Sequence, residues 1–221
     1  MNMFDHFPPE ALSFIADLRD NNTRDWFAEH KQVYDDSVKA PALEFADAMA
    51  VGLKTLTGVA HKSKLFRVHR DVRFSKDKTP YKAHIHIAFS ELDGAANTPM
   101  WFFGVDPDKL TMGCGVFQFD KQGLIDYREA VAGEAGAELM QVVAEMEAQG
   151  MRFREPALKR VPNGYDKDHP HGALLRRKGL AVWKDFDDPR FVTEPDLVAR
   201  SLAEMKTLLP MYRCLSELMP G

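Results

Sequence analysis

Between residues 67 and 82 the sequence places three arginines, Arg67, Arg70 and Arg73, and three lysines, Lys76, Lys78 and Lys82, beside only two acids, Asp71 and Asp77. Guanidinium forks grip phosphate or carboxylate through two parallel hydrogen bonds, and lysines on a loop add movable point charge. The pattern therefore suits an anion site built by Arg67, Arg73, Lys78, Lys82 and His84. Asp71 and Asp77 would orient the cations or serve as catalytic bases. The same residues equally suit a structural network of salt bridges, and both readings stay open here. Arg70 stands apart, because strand alternation would put it on the apolar face in a buried structural ion pair. On that expectation Arg70→Ala unfolds the protein, while Arg73→Ala folds and loses ligand.

A second stretch, Lys159-Arg160 through Gly164-Tyr165-Asp166-Lys167-Asp168-His169-Pro170-His171, is rich in groups that bind or titrate. Lys159, Arg160, Tyr165, Asp166 and His169 would close over an anion, with His169 a catalytic candidate. Alternatively Asp166 caps a turn, Tyr165 packs, and His169 satisfies a backbone carbonyl. The two stretches account for most of the positive charge. Residues 61–84 carry +6 and residues 152–178 carry +5, which leaves −15 on the rest of a chain whose net is −4. A focused anion pocket would concentrate cations in this way.

The segment Phe66-Arg67-x-x-Arg70-Asp71-x-Arg73-Phe74-Ser75-x-Asp77-Lys78-x-Pro80-Tyr81-Lys82 resembles the hallmark of a family of mainly bacterial hypothetical proteins, domain of unknown function 2461. The resemblance extends upstream to Trp26, Phe27, Lys31 and Tyr34. Downstream it takes in residues 159–166, His169-Pro170, Leu175-Arg176 and Lys178-Gly179. It implies a single α+β domain and no established activity. His84-x-His86, with His69 or Asp71 alongside, has the donors of a zinc or iron site. The family resemblance reaches His84 but not His69 or His86, so no metal is expected.

Other signatures are missing. There is no Walker loop, and Gly113-Cys114-Gly115 lacks the third glycine and following helix of a dinucleotide site. Ser75-x-x-Lys78 precedes a proline loop rather than starting a helix, which disfavours acyl transfer. No cofactor is expected. The two cysteines, Cys114 and Cys214, suit a reducing cytoplasm rather than a disulfide framework. The first nine residues lack a signal peptide, and no apolar run is long enough to span a membrane, so a cytoplasmic location is expected.

Around these segments, apolar spacing predicts helices from Pro8 to Leu18 and, capped by Thr23, from Trp26 to Val38. Pro41 should interrupt before the stripe resumes to Gly58. Strands are expected over residues 65–74, 83–89, 100–105, 110–119 and 180–186, with a bulge or close approach at Gly113 and Gly115. Helices should follow over 122–132 and 134–149, an irregular stretch over 152–178, and a closing helix from Glu194 that stops at Pro210. This pattern reads as one α+β domain over residues 1–221, a mostly antiparallel sheet with helices at the N-terminus, middle and C-terminus. The expected function is binding of a small anionic ligand, phosphorylated or carboxylated, by a protein that either turns it over or only holds it. The alternative is a non-catalytic protein docking an acidic partner or nucleic acid through the same basic cleft. Nucleic acid is disfavoured by a pI of 6.1 and by acids interspersed among the cations.

Overall fold

A computed structural model describes residues 4–219; Met1, Asn2 and Met3 of the stretch read for a signal peptide lie outside the described residues. Helix α1 (Pro9–Asp20) carries proline in its first turn, where no N–H is needed, and buries Ala11, Phe14, Ile15 and Leu18. The Thr23 hydroxyl caps α2 (Arg24–Glu29) by accepting the Trp26 N–H at 3.3 Å. A short α3 (Lys31–Val33) widens into a π-helical turn over Tyr34–Lys39 and continues as α4 (Ala40–Thr57) to Gly58. Pro41 therefore does not interrupt the path. Its ring crowds the carbonyl four residues back, and the π turn immediately before it accommodates that crowding.

Six strands follow: β1 (His61–Leu65), β2 (Ile85–Glu91), β3 (Met100–Val105), β4 (Leu110–Val116), β5 (Arg152–Phe153) and β6 (Leu180–Phe186). They form one antiparallel sheet in the order β1-β2-β3-β4-β6-β5, with Arg152 opposite Trp183 and Phe153 opposite Val182. Helices α5 (Lys121–Ala132) and α6 (Ala135–Ala148) come between β4 and β5, and the single-turn α7 (Gly172–Leu175) precedes β6. A 3-10 turn over Pro189–Thr193 leads to α8 (Leu197–Lys206) and α9 (Leu209–Leu218). The α+β class is thus as expected. Pro210, read as a stop, instead lies in the first turn of α9, a position that tolerates proline. Among the described residues no helix is long and apolar enough to cross a membrane.

The expected strand over residues 65–74 does not form. β1 ends where that strand should begin, and between β1 and β2 the described residues form a single isolated bridge, His69 to Tyr81. Val68 is buried, but Phe66 is 40% exposed and Phe74 97% exposed. The alternation therefore does not mark a buried face. Pro80 brings no N–H to a ladder, and the acids of the segment bond to their own loop instead.

The chain divides into two compact units, with boundaries inside β2, β3, β4, β6 and α8. One holds the chain through Phe89 with Phe102–Thr111 and Asp185–Glu204. Its core includes Phe7, Phe45 and Phe103, whose ring centroids are 5.7 Å (Phe7 to Phe45) and 4.6 Å (Phe45 to Phe103) apart. The other holds Ser90–Trp101, Met112–Lys184 and the chain from Met205. There Trp101 stacks on Tyr212 at 5.1 Å and Phe119 on Tyr127 at 4.6 Å.

Gly115 sits in this second unit at a φ of 135°, and a Cβ there would lie 2.2 Å from the Leu180 carbonyl oxygen and 2.7 Å from the Ala181 Cα. The close approach anticipated from the sequence is thus β4 against β6. Gly115→Ala is expected to lower the unfolding free energy by about 2–4 kcal/mol through backbone strain and overpacking, read as a lower urea midpoint.

Candidate functional site

The hallmark segment folds as an arm that turns back on itself. The Arg70 N–H donates to the Pro80 carbonyl at 2.8 Å and the Lys82 N–H to the Val68 carbonyl at 2.8 Å. Tyr81 anchors the base of the arm: it stacks on Phe27 at 4.1 Å, and its N–H and carbonyl bond the Asn22 amide at 3.0 and 3.1 Å. This explains part of the upstream pattern, since Phe27 is the platform for Tyr81.

Inside the arm the acids take up the arginines. Asp71 receives Arg73 through two bonds, from Nε at 2.9 Å and from a terminal nitrogen at 2.7 Å. Asp77 pairs with Arg70, which also reaches the Thr79 hydroxyl. The Lys78 ammonium donates to the Val72 carbonyl at 2.9 Å. Arg70 is therefore in an ion pair, but not a buried one: its side chain is 26% exposed and that of Asp77 is 58% exposed. Such a pair is worth little to stability, so Arg70→Ala should leave the protein folded, contrary to the expectation from alternation.

Hydrogen bonds from the Arg73 side chain and amide hold Asp71 below the usual carboxylate range. The Thr79 amide, then Arg70 and the Thr79 hydroxyl, pull Asp77 down to about 2. Carboxylates this well satisfied suit the orienting role better than that of a base. His84, just before β2, stacks at 3.7 Å on His86 of that strand. Partial burial, followed by the charge of Lys82, holds His84 below its ordinary value. Partial burial, His84 and Lys82 push His86 down to about 4. Among the described residues no group of three or more His, Cys, Asp and Glu could hold a metal ion. His69 packs edge-on against Phe27 and Tyr81 instead. Arg67 and Lys82 make no ion pair among the described residues.

The second stretch behaves differently. Residues 159–176 fold around an open cleft of about 810 Å³. A backbone bond from the Leu158 N–H to the Arg176 carbonyl, 3.0 Å long, closes the base of this loop. Lys159, Arg160, Lys167, Arg176, His169, Asn163 and Tyr165 line the cleft, and no aspartate or glutamate does. Lys167 pairs with Asp168 at 3.1 Å at the surface. Lys159 and Arg160 make no ion pair among the described residues, and Arg176 spends only its Nε, on the Gly172 carbonyl.

Packing of the loop's base against α5 and α6 fixes the cleft. The Tyr127 hydroxyl donates to the Leu174 carbonyl and Arg128 Nε to the Leu175 carbonyl, both at 3.3 Å. His171 Nδ1 bonds the Val131 carbonyl at 2.8 Å, one of the carbonyls that the end of α5 leaves without a helical partner. The ring reaches it only because residue 136 is glycine; a Cβ there would stand 2.2 Å from Nδ1. So it is His171, not His169, that satisfies a carbonyl. His169 Nδ1 accepts the His171 N–H at 3.0 Å, which leaves Nε2 as the nitrogen able to donate, and the residue lines the cleft. Asp166 Oδ1 accepts the Asp168 N–H at 2.9 Å and so closes a turn.

The candidate residues thus fall into two groups in different units. Arg67, Arg70, Asp71, Arg73, Asp77, Lys78, Lys82 and His84 belong to the arm, and Lys159, Arg160 and His169 to the cleft. Reading the sequence missed Asn163, Lys167 and Arg176 as lining residues. The signal for Arg176 was present: the buried pair Leu174-Leu175 seats the turn, and the cation that follows is left on its open side. A family model described as a conserved hypothetical protein, DUF2461, matches residues 10–213. No curated protein matches the chain.

The Asp77 pair gives a pH test. A carboxyl depressed on folding contributes stability above its unfolded value, near 4, and that contribution is lost as pH falls through about 2. Asp77→Asn should therefore melt below the wild type at neutral pH, and the gap in Tm should close on acidification through that window.

Proposed function

The chain belongs to the conserved hypothetical family DUF2461, and from that premise, with no activity to inherit, we propose that it binds a small phosphorylated or carboxylated ligand in the cleft of residues 159–176. One observation carries the reading: Lys159, Arg160 and Arg176, none of them in an ion pair among the described residues, line with His169 a cleft that no carboxylate lines. Two other arginines sit beside acids that neutralise them, Arg73 beside Asp71 and Arg190 beside Asp188. Cations held together without counter-charge repel one another, and an anion relieves that repulsion. The cleft volume exceeds that of an inorganic anion and falls in the range of sites for metabolite-sized ligands.

Chemically, the cleft offers charge neutralisation and hydrogen-bond donation. Arg160 and the free terminal nitrogens of Arg176 suit a bidentate grip, Lys159 supplies point charge, and His169 Nε2 and the Asn163 amide supply neutral donors. The reading is therefore of binding and electrostatic stabilisation. A cytoplasmic setting accords with two free thiols, Cys114 buried and Cys214 half-buried.

A thermal-shift series with phosphate, sulfate, citrate, nucleotides and sugar phosphates tests this. A ligand at about 100 times its Kd should stabilise the protein by about 2.7 kcal/mol. Arg160→Glu and Arg176→Glu should each abolish the shift without lowering the unliganded Tm by more than a few degrees. No shift with any anion, or the same shift in both variants, overturns the proposal.

A further inference from the structure

Phe74 lies almost wholly in solvent, yet the loop that carries it is well tied down. The bidentate Arg73–Asp71 pair precedes it, the Ser75 N–H bonds the Val72 carbonyl at 3.3 Å, and Arg70 with Lys78 closes the far side. An ordered loop thus holds an apolar ring in water. Phe66, on the same arm, is also exposed, and its ring has the Lys64 ammonium 5.3 Å and the Lys82 ammonium 5.9 Å from its centroid. The Arg73 guanidinium lies 5.9 Å from the Phe74 ring.

The charge left on this surface has one sign. Asp71 and Asp77 are taken up by Arg73 and Arg70, whereas Lys64, Arg67, Lys76 and Lys82 make no ion pair among the described residues. Arg67 acts on Asp71 only at a distance. The acids that seemed to argue against a polyanion are therefore internal braces of the arm. Exposed aromatic faces interleaved with unpaired cations complement a chain that alternates flat bases with phosphates. An acidic peptide would use the cations and leave the rings idle. A lipid surface would want several apolar side chains at the loop tip, and between residues 71 and 79 only Phe74 is a large exposed one.

We propose that the Lys64–Lys82 arm binds single-stranded nucleic acid, with Phe66 and Phe74 stacking on bases and Lys64, Arg67, Lys76 and Lys82 meeting phosphates. The inference is independent of the anion cleft and uses none of its residues. The acidity of the remaining chain keeps the interaction modest and salt-sensitive.

Fluorescence anisotropy with a labelled twelve-nucleotide oligothymidylate tests it, using the full chain. At about 50 mM salt binding should be measurable, and log K should fall with log salt at a slope near −3, as about four phosphate contacts require. Phe74→Ala should weaken binding about tenfold and leave both the slope and the Tm unchanged, since the ring packs on little else. Lys64→Gln with Lys82→Gln should shrink the slope by about 1.4. The proposal is overturned if the oligonucleotide does not bind, or if Phe74→Ala and Phe66→Ala both bind like wild type. It is equally overturned if an oligoglutamate of matched charge competes as well as the oligonucleotide, if anionic vesicles bind in its place, or if only Arg160→Glu removes binding.

Discussion

Asp71 and Asp77 decide what the arm can do, because each carboxylate takes up an arginine of its own loop. Two ion pairs between exposed partners add little to global stability. Their effect is local: they replace the missing ladder between residues 71 and 79 and set the loop's course. They also spend Arg73, one of the two guanidinium groups read as gripping a ligand, while Arg67 stays out of any ion pair among the described residues. What remains outward is Arg67, the lysines and two phenyl rings. An arginine-rich segment thus becomes a shaped, positively charged surface.

The cleft shows the opposite use of the same residue types. Its acids, Asp166 and Asp168, are turned to a backbone amide and to Lys167, and none lines the cavity. Its cations keep their charge because the loop is held from behind by bonds that need no side-chain acid. Those bonds run from Tyr127, Arg128 and His171 to backbone carbonyls, and the His171 bond depends on glycine at position 136. The buried Arg177 adds a bond to the Arg154 carbonyl at the same base. Support and charge are thus carried largely by different residues, so the charged lining can be altered without loosening the scaffold.

Backbone chemistry of this kind also accounts for the places where proline misled. Pro210 lies in a first turn, where a missing N–H costs nothing, and Pro41 follows a π turn that absorbs its crowding; from sequence one reads as a stop and the other as an interruption. Proline marks a boundary without saying on which side the helix lies. The glycines were more informative. Gly115 announced a close approach, and the structure identifies its partner as the backbone of β6.

Element types and most boundaries were legible from periodicity and turn chemistry. The hairpin of β3 and β4, the run of β6, the pair α5 and α6 and the Thr23 cap all follow from local rules that act within a few residues. The segregation of charge into two stretches was equally plain. The exception is residues 65–74, whose alternation predicts a strand that does not form and whose Phe74 lies in solvent. Alternation records only which residues share a side, and two acids able to bond their own loop outweighed it. The sequence by itself determined how many cations each segment carries. Only the tertiary structure decided which of them keep their charge, because pairing is settled over 3–4 Å in irregular backbone, where no period predicts the direction of a side chain.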